Sequence, residues 1–137
     1  MFIVTTTASV RNGAAGAGFT VRDGVGKLVL DCPTHHITPD EVQTASKALA
    51  MTEEPVSCHL AAYVALIGAM YSVCKNKQTA GRVITADFIT TPLVADQING
   101  VSKCKSLALQ PIMGRCKAAL NLNSGWHVYA VDKTPLF

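Results

Sequence analysis

The sequence predicts an α/β fold, because segments with strand character and segments with helix character follow one another along the chain. Five segments have strand character, three of them in series near the N-terminus, and the first is rich in β-branched residues. Between the third and the last of these, apolar residues recur at helical spacing. A chain of 137 residues with 49% hydrophobic residues is long and apolar enough for a buried core, so we expect one domain over residues 1–137.

The N-terminal third of the chain predicts three antiparallel strands over residues 2–7, 16–22 and 27–32. The first run is rich in β-branched side chains, which favour extended backbone. Turn-forming residues separate the first two runs, and an Asp-Gly pair after the second marks a short hairpin loop. Strands joined by such short connections pair antiparallel.

Two helices are expected next. Thr38, Pro39 and Glu41 combine an N-cap, a first-turn proline and an acid that bonds back to the cap, which predicts a helix over 39–51. Apolar residues at helical spacing predict a second helix over about 58–73. Its expected buried stripe contains Leu60, Tyr63, Val64, Ile67, Met70 and Tyr71.

The C-terminal half predicts two further strands with two helices between them. Residues 82–89 have strand composition, and Thr91 caps a short helix over 92–98 that begins with proline. Another helix is expected over 107–120, and the last strand over 126–131. No repeats or low-complexity tracts interrupt this order.

Three segments carry a resemblance to a known family. They read ASVRNGAAGAGF at 8–19, AAYVALI at 61–67 and LVADQING at 93–100. In this order and at these spacings they resemble the ribonuclease H family, nearest to its plant-type and archaeal-type branch. The resemblance implies a mixed five-stranded sheet with helices on both faces. This chain departs from the family pattern in two places: we expect an inserted helix after the third strand, at about 35–54, and a missing C-terminal helix, since the sequence ends at Phe137.

The resemblance further implies where catalytic acids should stand, and the chain departs from it there. The family places an acid just before the first segment, inside the second and just before the third; here those positions hold Thr7, Ala62 and Thr90. Its members cleave RNA in a hybrid duplex with two divalent cations held by carboxylates. Neutral side chains cannot offset the mutual repulsion of the two cations. No acid precedes Asp23, so the first loss does not depend on alignment. We therefore expect an inactive domain with no metal or other cofactor.

Five residues are predicted to contact nucleic acid. Arg11 and Asn12 lie in the loop that meets a phosphate backbone in the resembled family, and His59 holds the place of a polar residue that touches the sugar. Lys103 and Lys105 fall on one side of a loop or extended segment, where charge-assisted phosphate contacts form. The expected partner is an RNA–DNA hybrid or another duplex. A solvated turn is the open alternative for Arg11 and Asn12, and a solvated basic loop for Lys103 and Lys105. For His59 the alternative is a place on the first turn of a helix without ligand contact.

Other hypotheses stay open beside nucleic-acid binding. The inserted segment 38–52 is a candidate contact for a protein partner or a second copy of the chain. A metal-dependent ribonuclease with a non-standard site is a weaker alternative, to which Asp132 would contribute. A zinc site built on Cys32 and Cys58 with neighbouring histidines is disfavoured by the ligand spacing. The resemblance suggests descent from a retroelement or viral polymerase region.

Composition limits the setting of the protein. The net charge of +3 permits phosphate contacts without requiring them. No apolar run reaches the roughly 20 residues of a membrane span, and no secretory signal is visible, so no membrane contact is expected. Five cysteines at irregular spacing argue against a disulfide framework. We expect an intracellular protein, cytoplasmic or nuclear, with reduced thiols.

Overall fold

The computed structural model describes residues 1–11, 14–36, 58–75, 85–105 and 109–130. The predicted helix over 39–51 lies outside them. The strands are β1 (Phe2–Arg11), β2 (Ala14–Arg22), β3 (Leu28–His36), β4 (Ala86–Thr90) and β5 (Trp126–Ala130), and the helices are α1 (Cys58–Lys75), α2 (Pro92–Ile98) and α3 (Gln110–Leu122).

The strands form one mixed five-stranded sheet in the order β3-β2-β1-β4-β5. β1, β2 and β3 pair antiparallel as predicted, and β4 pairs parallel with both β1 and β5. β1 continues to Arg11 because its pairing with β2 persists as far as Arg11 and Ala14. β3 runs through Pro33, and an edge strand tolerates proline because it pairs with a neighbour on one side; among the described strands the neighbour of β3 is β2.

One face of the sheet carries the core. Val4, Phe19, Phe88 and Trp126 point to this inner face and are buried under the helices. α1 packs on β1 and β2, α2 packs on β5, and α3 packs on the two other helices. We expected helices on both faces of the sheet. The helices of the described residues all lie on the inner face. Ile3 and the neighbouring odd-numbered β1 residues face the other way and are exposed.

α1 is apolar around most of its circumference because it lies between the sheet and α3. Small residues such as Ala61 and Ala69 are fully buried and let the helix approach its neighbours closely. One predicted member of the buried stripe is wrong: Tyr71 is 59% exposed. Its ring lies under the ammonium group of Lys75, 5.1 Å from the ring centre, so the side chain is stabilised at the surface.

The backbone of β3 lies close against Gly18 of β2. A Cβ atom added there would lie 2.7 Å from the Cys32 carbonyl oxygen and 2.7 Å from the Thr34 nitrogen. The strand register also shifts between Ala17 and Phe19, which marks a bulge at this point. The edge strand β3 can thus pack here only because glycine has no Cβ atom.

A buried thiol makes the fold sensitive to alkali. Burial raises the pKa of the Cys116 thiol to about 12, although Arg115 acts in the opposite direction. The folded chain keeps this proton while the unfolded chain releases it near pH 9.0, so stability present below pH 9.0 is lost as the pH approaches 12. We expect the free energy of unfolding to fall by about 1.4 kcal/mol per pH unit in this window from this thiol alone.

Urea unfolding at several pH values checks this expectation. Cys116→Ala should show a shallower pH dependence than the unsubstituted chain, whereas Cys74→Ala, which changes an exposed thiol, should keep most of the slope. Equal slopes in the Cys116→Ala variant and the unsubstituted chain would contradict the assignment.

None of the helices in the described part of the chain combines the length and hydropathy that a membrane crossing requires.

Candidate nucleic-acid interface

The three positions where acids were expected do not come together. Thr90 ends β4 on the inner face and is 1% exposed, and Ala62 is buried in α1. Thr7 is exposed on the opposite face, where its Oγ1 lies 2.8 Å from Thr34 Oγ1. Thr6, the residue before Thr7 in β1, faces inward beside β4. Because a shift of one residue moves a strand side chain to the other face, Thr6 rather than Thr7 shares the inner face with Thr90.

The two inner threonine hydroxyls differ in their bonding. Thr6 Oγ1 donates a hydrogen bond to the Ile89 carbonyl at 2.8 Å. Thr90 Oγ1 is fully buried and has no hydrogen-bond partner within the described structure. A buried unpaired hydroxyl costs about 1–3 kcal/mol, so Thr90 destabilises the fold at this position.

Valine at these two positions should change stability in opposite directions. Thr90→Val removes an unpaired hydroxyl at nearly constant volume, and we expect it to raise the free energy of unfolding by about 1 kcal/mol. Thr6→Val breaks the hydrogen bond to Ile89 and should lower it by about 1 kcal/mol. Chemical denaturation of the two variants side by side measures both effects. A loss of stability in Thr90→Val would mean that the hydroxyl has a partner after all.

The donors at this end of the sheet do not fit a pair of divalent cations. Magnesium requires hard oxygen ligands, including carboxylates, whereas the inner positions offer two neutral hydroxyls and the methyl group of Ala62. Asp87 pairs in register with Ile3, so it points to the opposite face from Thr90. Across the residues that the structure describes, no three His, Cys, Asp or Glu side chains converge.

A buried polar network lies between α1, α2 and the loop after α2. Gln97 is 4% exposed, and its Oε1 accepts hydrogen bonds from the Tyr63 hydroxyl at 2.7 Å and from His59 Nε2 at 2.9 Å. Its Nε2 donates to the Lys103 carbonyl at 3.4 Å. Because that carbonyl only accepts, the amide orientation is determined, and both Tyr63 and His59 must donate.

Two features keep the Tyr63 hydroxyl in its donating form. Burial is the main cause that raises the pKa of Tyr63, and the nearby thiols of Cys104 and Cys116 act in the same direction. The His59 ring packs against the Tyr63 ring with centroids 5.1 Å apart. The Nε2–H group of His59 is used in the hydrogen bond to Gln97. Only the Nδ1 edge of this half-buried ring is left to contact a ligand.

Residues 103–105 form an anchored segment, which we call the basic segment. Lys103 and Lys105 are exposed, whereas Cys104 between them is buried, so both ammonium groups lie on the solvent side. A second glutamine amide, Gln110 Nε2, donates to the Cys104 carbonyl at 2.9 Å. Two consecutive backbone carbonyls are thus held by side-chain amides. The sequence has no acid between Asp96 and Asp132, and Asp96 lies beside the start of this segment, where its carbonyl accepts from Ser102 N at 3.1 Å.

The predicted contact residues divide into two groups. His59 and Lys103 are bridged by Gln97, and Lys105 lies beside Lys103 in the basic segment. Arg11 is the last residue of β1, and Asn12 lies outside the described residues. Gln97 itself was missed in the sequence. Its signal was a polar residue amid the apolar positions of a short helix, which is typical of a buried hydrogen-bonding role.

Solved structures share this fold. Ribonuclease H1 LC11 in complex with an RNA/DNA hybrid matches with a TM-score of 0.73 and 16% identity, over 97% of this chain and 86% of that chain. Ribonuclease H1 from the halophilic archaeon Halobacterium salinarum NRC-1 matches with 0.71 and 17%, over 96% and 86%. The protease–reverse transcriptase of prototype foamy virus matches with 0.61 and 13% over 98% of this chain, which spans 18% of that longer protein.

The expected fold class is confirmed: the chain is a ribonuclease H-like mixed five-stranded sheet with helices. No family model matches the sequence, and no curated protein matches it significantly.

Proposed function

We propose that this chain is a catalytically inactive ribonuclease H-like domain that binds an RNA–DNA hybrid or another duplex through its phosphates. The observation that carries the proposal is the basic segment, whose two exposed lysines flank a buried residue on an anchored backbone. Lysine contacts to phosphates release condensed counterions, and this term supplies most non-specific affinity. The likeness to a ribonuclease H1 solved with an RNA/DNA hybrid supports this choice of ligand.

Electrostatics at the inner end of the sheet support the same choice. A duplex phosphate next to a cluster of carboxylates is repelled unless metal ions lie between them. Here the inner positions hold threonine and alanine instead, so no carboxylate at Thr6, Ala62 or Thr90 opposes the attraction of Lys103 and Lys105. Loss of the acids would thus favour metal-independent binding while it removes hydrolysis.

Inactivity is supported by the donor set. Two-metal hydrolysis requires anions that hold both ions about 3.5–4 Å apart. Thr6, Ala62 and Thr90 carry no charge, and Asp87 faces away from them. In this proposal the chain therefore binds the nucleic acid without hydrolysing it.

The test combines binding and cleavage on the same labelled RNA–DNA hybrid. We expect a gel shift at about 100 mM salt that weakens steeply as salt rises, with no requirement for a divalent cation. Incubation with Mg²⁺ or Mn²⁺ should leave the RNA strand intact. Negligible binding even at low salt would refute the binding proposal, and metal-dependent cleavage would refute inactivity.

A further inference from the structure

We infer that Gln97 is a positioning residue that fixes the basic segment for phosphate contact, with His59 and Tyr63 acting through it. This inference rests on the proposed binding function and adds the device that organises it. Gln97 touches no ligand in this scheme. Its buried amide holds the peptide from which Lys103 projects, so its effect on binding passes through the lysines.

The amide of Gln97 is immobilised from three sides. Turning it over would place an N–H group against two donors, Tyr63 and His59, and an oxygen against the Lys103 carbonyl. All three contacts would be lost together, and Gln97 is only 4% exposed, so little solvent can replace them there. The amide is therefore a rigid link between the first turns of α1 and the basic segment.

A rigid link matters because ordering a flexible loop opposes binding. The basic segment follows the C-terminal end of α2, where Asn99 and Gly100 end the helix. Gln97 and Gln110 hold its two carbonyls before any ligand arrives, so the ordering cost has already been met during folding. Without the clamp, the lysines would have to be ordered at the moment of binding.

Gln97→Met tests this role, because methionine fills a similar volume and cannot hydrogen-bond the Lys103 carbonyl. We expect it to weaken binding of a labelled RNA–DNA hybrid about three- to tenfold at about 100 mM salt. Gln110→Met, which releases the neighbouring carbonyl, should act in the same direction and provides a second variant if Gln97→Met folds poorly. Circular dichroism and thermal melts verify that each variant is folded.

Asn99→Ala is the matched control. Its side-chain amide also donates to a backbone carbonyl, that of Val128 in β5, at 3.0 Å. The variant thus loses the same kind of hydrogen bond, from a side-chain amide to a backbone carbonyl, but in a strand that contains no lysine. We expect hybrid affinity within about twofold of the unsubstituted chain.

A double-mutant cycle separates positioning from general destabilisation. In a Lys103→Ala, Lys105→Ala background, Gln97→Met should no longer change affinity, since the side chains it positions are gone. Unsubstituted affinity in Gln97→Met, or an equal loss with and without the lysines, would overturn the positioning role and leave the binding proposal standing. Absence of binding by the unsubstituted chain would overturn both.

Discussion

Replacing Lys103 and Lys105 by alanine should weaken hybrid binding about 100-fold at low salt, with a slope of log K against log salt reduced by about 2. Each ammonium group that contacts a phosphate releases about one counterion, and the basic segment presents both groups to solvent on a held backbone. Since phosphate contacts carry no sequence information, the loss should be similar for unrelated hybrid sequences. Fluorescence anisotropy over a range of salt concentrations measures affinity and slope together.

Lys27→Ala combined with Lys75→Ala is the charge-matched control. Lys75 ends α1, about 25 Å along the helix from His59, and Lys27 lies in the hairpin between β2 and β3. Both variants lower the net charge by the same amount. If the two pairs weaken binding equally, the attraction is a property of overall charge rather than of the basic segment.

Gly18→Ala should lower the free energy of unfolding by about 3 kcal/mol, the largest stability effect expected here. The new methyl group would overlap the Cys32 carbonyl oxygen and the Thr34 nitrogen, each 2.7 Å from an ideal Cβ. These are backbone atoms of the neighbouring strand, so no side-chain rotation relieves the contact. β3 must move away from β2, at the expense of its hydrogen bonds. Urea denaturation monitored by the fluorescence of Trp126 measures the change.

Gly68→Ala is the control for glycine replacement. The position lies inside α1, and an added Cβ meets only the Phe19 ring at 4.0 Å, beside a groove of about 310 Å³. Alanine favours helix over glycine by about 0.5–1 kcal/mol, so this variant should be stabilised. A similar cost for both replacements would show that the strand contact at Gly18 is not the cause.

The fold was accessible from the sequence because its signals are local. β-branched runs, the Asp-Gly hairpin and the capped proline at Pro92 each predict an element that the structure contains. Strand ends were less accessible. β1 and β3 extend past their predicted ends because pairing with β2 continues, and pairing is a property of the neighbouring strand rather than of the segment itself.

The candidate site was only partly accessible for the same reason. Alternation places Thr6, not Thr7, on the inner face, and this depends on which face the helices cover. The exposed lysines were evident from charge alone. Gln97 was not, because its importance comes from Tyr63, His59 and Lys103, which meet only after α1 and α2 have packed.

The parallel pairing of β1 with β4 has a consequence for synthesis on the ribosome. Thr6 bonds to a carbonyl 83 positions later, so the N-terminal hairpins leave the exit tunnel long before the strand that completes the sheet. Until α1 has also been synthesised, the apolar side of these hairpins, with Val4, Phe19 and Val21, has no cover. We expect this topology to fold slowly and the nascent chain to bind chaperones that recognise exposed hydrophobic surface.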